Sequence, residues 1–306
     1  MIKDIIKTLD EKDAFSSVIG QSDAILQLKS ALATGRHVLL IGPPGCGKTT
    51  LARAVAKAVS DERFVRIQGS PDLTAEDLLG DIDPIKALEF GPVSSQAFTP
   101  GKIFKADNGV LFFDEVNRCP QKIQNALLQV LQEKTATIGG YDVDFSANII
   151  FIGTMNPEDS STEKLSSVFM DRFDIIYMTY PETIDDEIKI VKENGTKIEG
   201  ITFPDTLLNA IVDFIRFIRI DERFSKVPSV RATLGLFERA QSNAFIKNRT
   251  EVTAKDISDS LISVLAHRLE LKPSLKYVQK PENVIVELYK TFADMKGLSS
   301  EADEDG

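Results

Sequence analysis

The sequence predicts an α/β fold in which a five-stranded parallel sheet flanked by helices is followed by a smaller, all-helical domain. Three observations predict it. Short, nearly uninterrupted apolar runs recur through the first half, with enough chain between them for a crossover, as strands buried on both faces require. A glycine-rich loop lies between the first of these runs and a segment of helical spacing. After Pro181 the strand signal stops and segments of helical period take over.

Taken in order, residues 1–15 form a charged N-terminal helical lead-in, and 16–182 form the α/β domain. Its strands are expected at 37–41, 64–67, 110–113, 149–152 and 175–178, with a helix over 51–59 whose apolar residues pack on the sheet. Two insertions interrupt it. The first, 72–104, holds a short helix at Ala75–Leu79 and a loop with Gly91, Pro92 and Ser94. The second, 133–147, carries Gly139-Gly140 between two short runs, a hairpin signal. Helices at 183–193, 204–218, 230–248, 253–270 and 281–292, each opened by Thr, Pro or a similar start signal, make up the second domain over 183–297. Residues 298–306 are an acidic tail expected to be solvated and disordered.

With 306 residues, 42% of them apolar and 27% charged, the chain has the material for two ordinary soluble domains. It has no run of about 18 apolar residues, and its N-terminus carries charges where a signal peptide needs an apolar stretch, so a cytoplasmic protein without membrane insertion is expected. Two cysteines, Cys46 and Cys119, and two histidines, His37 and His267, are too few for a disulfide framework or a zinc cluster. A net charge of −10 argues against a sequence-independent grip on nucleic acid.

The chemistry concentrates in Gly42-Pro43-Pro44-Gly45-Cys46-Gly47-Lys48-Thr49, with Thr50 following in the helix. The glycines let backbone N–H groups turn inward around phosphate oxygens, Lys48 reaches the β and γ phosphates, and the Thr49 hydroxyl is placed to ligate Mg²⁺. A bound nucleoside triphosphate is expected. Asp114 and Glu115 close an apolar strand at its C-terminal end, where open α/β sheets bind ligands. Asp114 suits Mg²⁺, and Glu115 suits polarisation of an attacking water. Asn156 ends a third strand and reads either as a polar contact to that water or the γ-phosphate, or as a plain Asn-Pro turn with Pro157.

With these motifs in order, the chain resembles the AAA+ ATPases, within them the branch of MoxR-type ATPases and the AAA+ subunit of magnesium chelatase. The resemblance runs from Val18-Ile19-Gly20-Gln21 to about Leu271 and includes Asp114-Glu115-Val116-Asn117-Arg118, Gly153-Thr154-Met155-Asn156-Pro157, Asp171-Arg172-Phe173 and Pro228-Ser229-Val230-Arg231-Ala232. It implies ATP and Mg²⁺ as cofactors, Ile19 and Gly20 at the adenine, Asn156 as sensor 1, Arg172 as an arginine finger given to a neighbour, and Arg231 as the sensor 2 arginine of a helical lid. From the residues alone, Arg172 also fits an ion pair with Asp171 or Asp174, and Arg231 a solvent-facing helix start. Arg118 is suggestive beside the carboxylates. The insertions match the family's helix 2 insert and pre-sensor 1 hairpin, which in relatives act on partners; Phe90 and Phe98 in the first look exposed and available for such contact.

The resemblance further implies a ring, as a hexamer, that remodels or matures a partner protein, with a von Willebrand factor A-domain protein as the first expectation and metal or cofactor insertion as the setting. The alternatives are the motor of a magnesium-chelatase-like complex, a nucleic-acid-associated switch, disfavoured by the acidic balance, and a scaffold that scarcely turns over, disfavoured by Glu115. A GTPase is disfavoured by the lack of an NKxD-type motif.

Overall fold

The computed structural model describes residues 9, 14–59, 64–91, 94, 96–133, 135–138, 141–144, 149–157 and 165–297. Most of the lead-in, the acidic tail, Gly139-Gly140, Phe145, Pro92, Val93 and Ser95 lie outside the described residues. The chain divides into two compact units between Thr179 and Tyr180.

In the first unit, helix α1, Ser22–Ala33, buries Ala24, Leu28, Ala31 and Leu32 at three- and four-residue steps. The sequence expectations include no helix there. Strand β1, Val38–Ile41, leads through the glycine-rich loop into helix α2, Lys48–Val59, which buries Leu51, Ala52 and Val55. Strand β2 is Phe64–Gln68. The first insertion then forms helix α3, Ala75–Leu79, strand β3, Gly80–Ile82, helix α4, Pro84–Phe90, strand β4, Phe98–Pro100, and helix α5, Lys102–Lys105, with β3 and β4 paired antiparallel. Helix α3 starts on a capping box in which Thr74 and Asp77 satisfy each other's backbone amides. Phe98 corrects an expectation: it is half-buried, its ring centroid 5.1 Å from that of Phe104. Phe90 on α4 is exposed as expected, and among the described residues of this insertion Ile85 and Leu88 on the same helix are exposed with it.

Strand β5, Val110–Asp114, passes through a 3-10 turn, Val116–Arg118, into helix α6, Gln121–Glu133. That helix was also unforeseen, although Ile123, Leu127 and Val130 are buried at helical spacing. Strands β6, Thr135–Ile138, and β7, Tyr141–Asp144, pair antiparallel. Strand β8, Ile150–Met155, helix α7, Ser167–Met170, and strand β9, Asp174–Tyr177, complete the unit.

Five strands make one parallel sheet in the order β2-β5-β8-β1-β9. Side chains alternate between its faces: Leu39, Ile41, Leu111, Phe113 and Phe151 pack on one side, while Val38, Leu40, Val110, Phe112 and Ile152 are buried on the other. That double burial explains the unbroken apolar runs in the sequence. At the start of β1, His37 Nδ1 accepts the Phe151 amide at 3.2 Å, and burial holds its pKa below the ordinary value of 6.5. Because all five strands point the same way, Ile41, Gln68, Asp114, Met155 and Tyr177 end at one edge, where ligands of such sheets bind.

The second unit contains helices α8, Ile184–Asn194, and α9, Asp205–Arg219, strand β10, Phe224–Lys226, helices α10, Val230–Ile246, and α11, Ala254–Leu265, strand β11, Glu270–Leu271, and helices α12, Pro273–Lys276, and α13, Pro281–Lys296. Its core gathers Ile211, Ile215, Leu236, Leu261, Leu265 and Ile285. The unit is helical as expected, with one short antiparallel strand pair, β10 with β11, among its described residues, and one expectation is corrected: the helix expected over 253–270 stops at Leu265. Leu269 and Leu271 are both buried, a two-residue spacing that a strand satisfies and a helix does not. Pro273 then opens the next helix at its first turn.

Glu187 on α8 has no solvent exposure and ties three helices together. It accepts from Arg219 NH1 and NH2 on α9 at 2.7 and 2.8 Å, and from the Thr233 hydroxyl on α10 at 2.6 Å. Removing one partner of a buried pair strands the other charge, so Glu187→Ala is expected to destabilise this unit by about 3–5 kcal/mol. Urea unfolding measures it. A double Glu187→Met/Arg219→Met variant, which strands neither charge, should recover much of the loss, and a single-variant cost under about 1 kcal/mol would place the pair with ordinary surface bridges.

Candidate active site

The loop after β1 winds through two residues in the left-handed region, Gly45 at φ 73° and Gly47 at φ 101°, which glycine adopts without a Cβ penalty. Such a loop turns successive amides toward one point at the start of α2. Lys48 is 9% exposed, and its ammonium donates to the Gly42 carbonyl at 2.6 Å and the Pro43 carbonyl at 2.8 Å. It therefore lies along the loop instead of facing bulk solvent. Gln21 joins the Ile19-Gly20-Gln21 segment to this edge: its amide donates to the Thr179 carbonyl at 2.7 Å and to that of Cys46 at 3.5 Å. Cys46 is itself buried, as is Cys119, whose thiol burial pushes up to about 11. At ordinary pH Cys119 is an unreactive thiol.

Asp114 and Glu115 leave β5 at the same edge but in different surroundings. Asp114 is 8% exposed; its Oδ1 accepts from the Thr154 hydroxyl at 2.7 Å and its Oδ2 pairs with Arg66 NH2 at 2.7 Å. Glu115 turns into the left-handed region at φ 57°, ψ 53°, uncommon for a residue with a side chain and frequent at functional sites. Its Oε2 accepts from the Gln68 amide at 2.9 Å and lies 3.3 Å from Arg118 Nε. Gly69 makes room for this turn, since a Cβ there would meet the Glu115 carbonyl oxygen at 2.1 Å. Hydroxyl and carboxylate oxygens, as on Thr49 and Asp114, are hard donors of the kind Mg²⁺ takes, and they fit the ion by that chemistry.

Asn156 follows β8, half-buried, and its carbonyl accepts from the Asn117 amide at 3.3 Å. Asn117 is 3% exposed, and its Oδ1 has no hydrogen-bond partner among the described residues. Arg172 lies elsewhere. It lies two residues before the first residue of β9, Asp174, which pairs in register with Val38 at the start of β1, whereas the phosphate loop leaves the other end of β1. At about 3.3 Å per residue the strand puts roughly 10 Å or more between them. The ion pair with Asp174 does not form, because Arg36 Nε takes that carboxylate at 2.6 Å; Asp171 stands 4.0 Å from Arg172 NH1, which donates to the Val168 carbonyl at 3.0 Å. Arg172 Nε is buried without a hydrogen-bond partner among the described residues. Arg231 belongs to the second unit, exposed in the first turn of α10, with its amide donating to the Ser229 cap. Burial, and secondarily the charge of Arg231, lowers the pKa of Arg268 in the same unit.

The sheet edge thus brings Lys48, Asp114, Glu115 and Asn156 to one side of the first unit and leaves Arg172 at the other end of β1. Thr154, Asn117, Arg66 and Gln68 join the site without a role legible in the sequence. The one available signal is polarity inside apolar strands: Arg66 and Gln68 alternate with apolar residues in β2, and Thr154 interrupts β8.

A family model described as AAA domain (dynein-related subfamily) matches residues 37–173, and one described as AAA lid domain matches residues 224–287. Among curated proteins, YeaC of Bacillus subtilis is 30% identical over 284 residues, covering 85% of each chain. Chaperone MoxR1 of Mycobacterium tuberculosis is 28% identical over 316 residues, covering 90% of this chain and 79% of that protein. Magnesium-chelatase subunit ChlI of Synechocystis is 23% identical over 325 residues, covering 85% of this chain and 88% of that protein. The chain belongs to the AAA+ ATPases, in the branch of the MoxR-type ATPases and the magnesium-chelatase AAA+ subunit, and its chemistry is the hydrolysis of ATP.

Proposed function

We propose that this protein works as a ring of identical subunits, hexameric in its assembled form, that hydrolyses ATP between neighbours to remodel or mature a partner protein. The observation that carries the ring is the position of Arg172, at the opposite end of β1 from the phosphate loop. An arginine so placed serves a site on another copy, and a head-to-tail contact repeated around an axis closes into a ring.

In this reading the loop amides and Lys48 bind and orient the phosphates, and Ile19 and Gly20 border the base. Thr49 and Asp114 would hold Mg²⁺, which when bound supplies neutralisation of phosphate charge. Glu115 orients the attacking water and accepts its proton, and Asn156 keeps that water or the γ-phosphate in line. A neighbour's Arg172 adds positive charge at the γ-phosphate, and Arg231 makes the lid responsive to it.

The partner is a protein, with a von Willebrand factor A-domain protein as the first candidate, and a metal or cofactor insertion step is the proposed setting. The relative named a chaperone supports action on a protein client. The relative named a magnesium-chelatase subunit supports a second reading, as motor of a chelatase-like complex. We place the protein in the cytoplasm without a nucleic-acid role, in keeping with its net charge of −10. Among the described residues no helix is long and apolar enough to cross a membrane.

Steady-state hydrolysis against protein concentration, with mass by light scattering in the same samples, tests the ring. Specific activity should rise with assembly. Activity independent of concentration while the mass stays that of one chain would contradict it.

A further inference from the structure

Thr154 is fully buried on β8, two residues before Asn156. A hydroxyl has one proton to give and two lone pairs to accept with. Here the proton goes to Asp114 Oδ1 at 2.7 Å, and a lone pair takes the Glu115 amide at 2.8 Å. One contact fixes the carboxylate suited to the metal. The other fixes the backbone at the point where Glu115 enters its left-handed conformation, which persists only where the surroundings hold it.

Two further contacts brace the same turn. The Gly69 amide donates to the Asp114 carbonyl at 2.7 Å from the β2 side, and Asn117 reaches from the turn to the Asn156 carbonyl at 3.3 Å. The end of β8 and the acidic turn are thereby joined at two places, and of these two contacts it is the one made by Thr154 that reaches both acidic residues.

We propose that Thr154 is a positioning residue that sets the Asp114 carboxylate and the Glu115 backbone together, so that metal holding and water activation depend on one hydroxyl. The proposal rests on the ATPase site described above. Valine has nearly the shape of threonine without the hydroxyl, and serine keeps the hydroxyl without the methyl. Removing an outer hydrogen bond that orients a ligand typically costs 10–100-fold in metal affinity or activity. Thr154→Val is therefore expected to lower kcat by about 10–100-fold and to raise the Mg²⁺ concentration at half-maximal rate by about the same range. Thr154→Ser should stay near wild type in both.

The test uses the full chain. Hydrolysis is measured across a Mg²⁺ titration for wild type, Thr154→Val and Thr154→Ser, and ATP binding is measured by calorimetry in a Glu115→Gln background with either Mg²⁺ or EDTA. The expected result is an unchanged ATP affinity in EDTA, a reduced gain from Mg²⁺ in the valine variant, and recovery in the serine variant. A valine variant with wild-type kcat and Mg²⁺ dependence overturns the proposal. So does a serine variant as impaired as valine, since the hydroxyl would then not be the active feature. Wild-type protein that does not hydrolyse ATP, together with a Glu115→Gln parent that gains no ATP affinity from Mg²⁺, would overturn the ATPase site along with it.

Discussion

Arg172→Ala is expected to lower turnover in the assembled protein by on the order of 10³- to 10⁵-fold, with ATP affinity close to wild type. Phosphoryl transfer offers a protein little covalent chemistry, so positive charge delivered to the transferring group accounts for much of the rate. Arg172 is suited to deliver it because, among the described residues, its guanidinium holds one close hydrogen bond and one long ion pair and no more. NH1 donates to the Val168 carbonyl, Asp171 is 4.0 Å away, and Asp174 is occupied by Arg36. If Arg172 were only a surface ion pair, its loss would cost at most about 1 kcal/mol of stability and leave turnover unchanged. Single-turnover rates on assembled protein separate the two.

Glu115→Gln should reduce hydrolysis by about 10²- to 10⁴-fold, the usual worth of a positioned general base, and leave ATP bound. The substitution preserves size and the ability to accept from Gln68 Nε2, now at 2.9 Å from Oε2, while removing the charge that takes a proton. The acidic turn should persist, since the Thr154 and Gly69 contacts are made with backbone and with Asp114. Calorimetric ATP affinity equal to wild type with turnover lost is the expected pair of results. Turnover near wild type would move base catalysis to another residue.

The chemistry at the sheet edge is legible in the sequence because it is local. A strand, a glycine-rich loop and a helix start must be contiguous to cradle phosphates, and a carboxylate pair ending an apolar run is placed by the strand that carries it. What escapes is whatever depends on register between distant segments. Thr154 and Asp114 are 40 residues apart and meet only because β5 and β8 pair with Phe113 opposite Gly153. Gln68 reaches Glu115 only because β2 lies beside β5. The β10–β11 pair escapes for the same reason, its strands separated by two helices. Helices α1 and α6 are a different case. Their apolar spacing was present but lay between stronger strand and loop signals.

The most direct test of a site shared between subunits is mixing. Glu115→Gln and Arg172→Ala subunits are each expected to be nearly inactive alone, one lacking the base and the other the finger. In a mixed ring, an Arg172→Ala subunit with its own Glu115 can meet a Glu115→Gln neighbour that still carries Arg172, and that interface is complete. Hydrolysis well above either parent, reached when the two are mixed in equal amounts, about a quarter of interfaces then being intact by chance, is the predicted result. Activity that never exceeds the sum of the parents, in mixtures shown by mass measurement to exchange subunits, would contradict it.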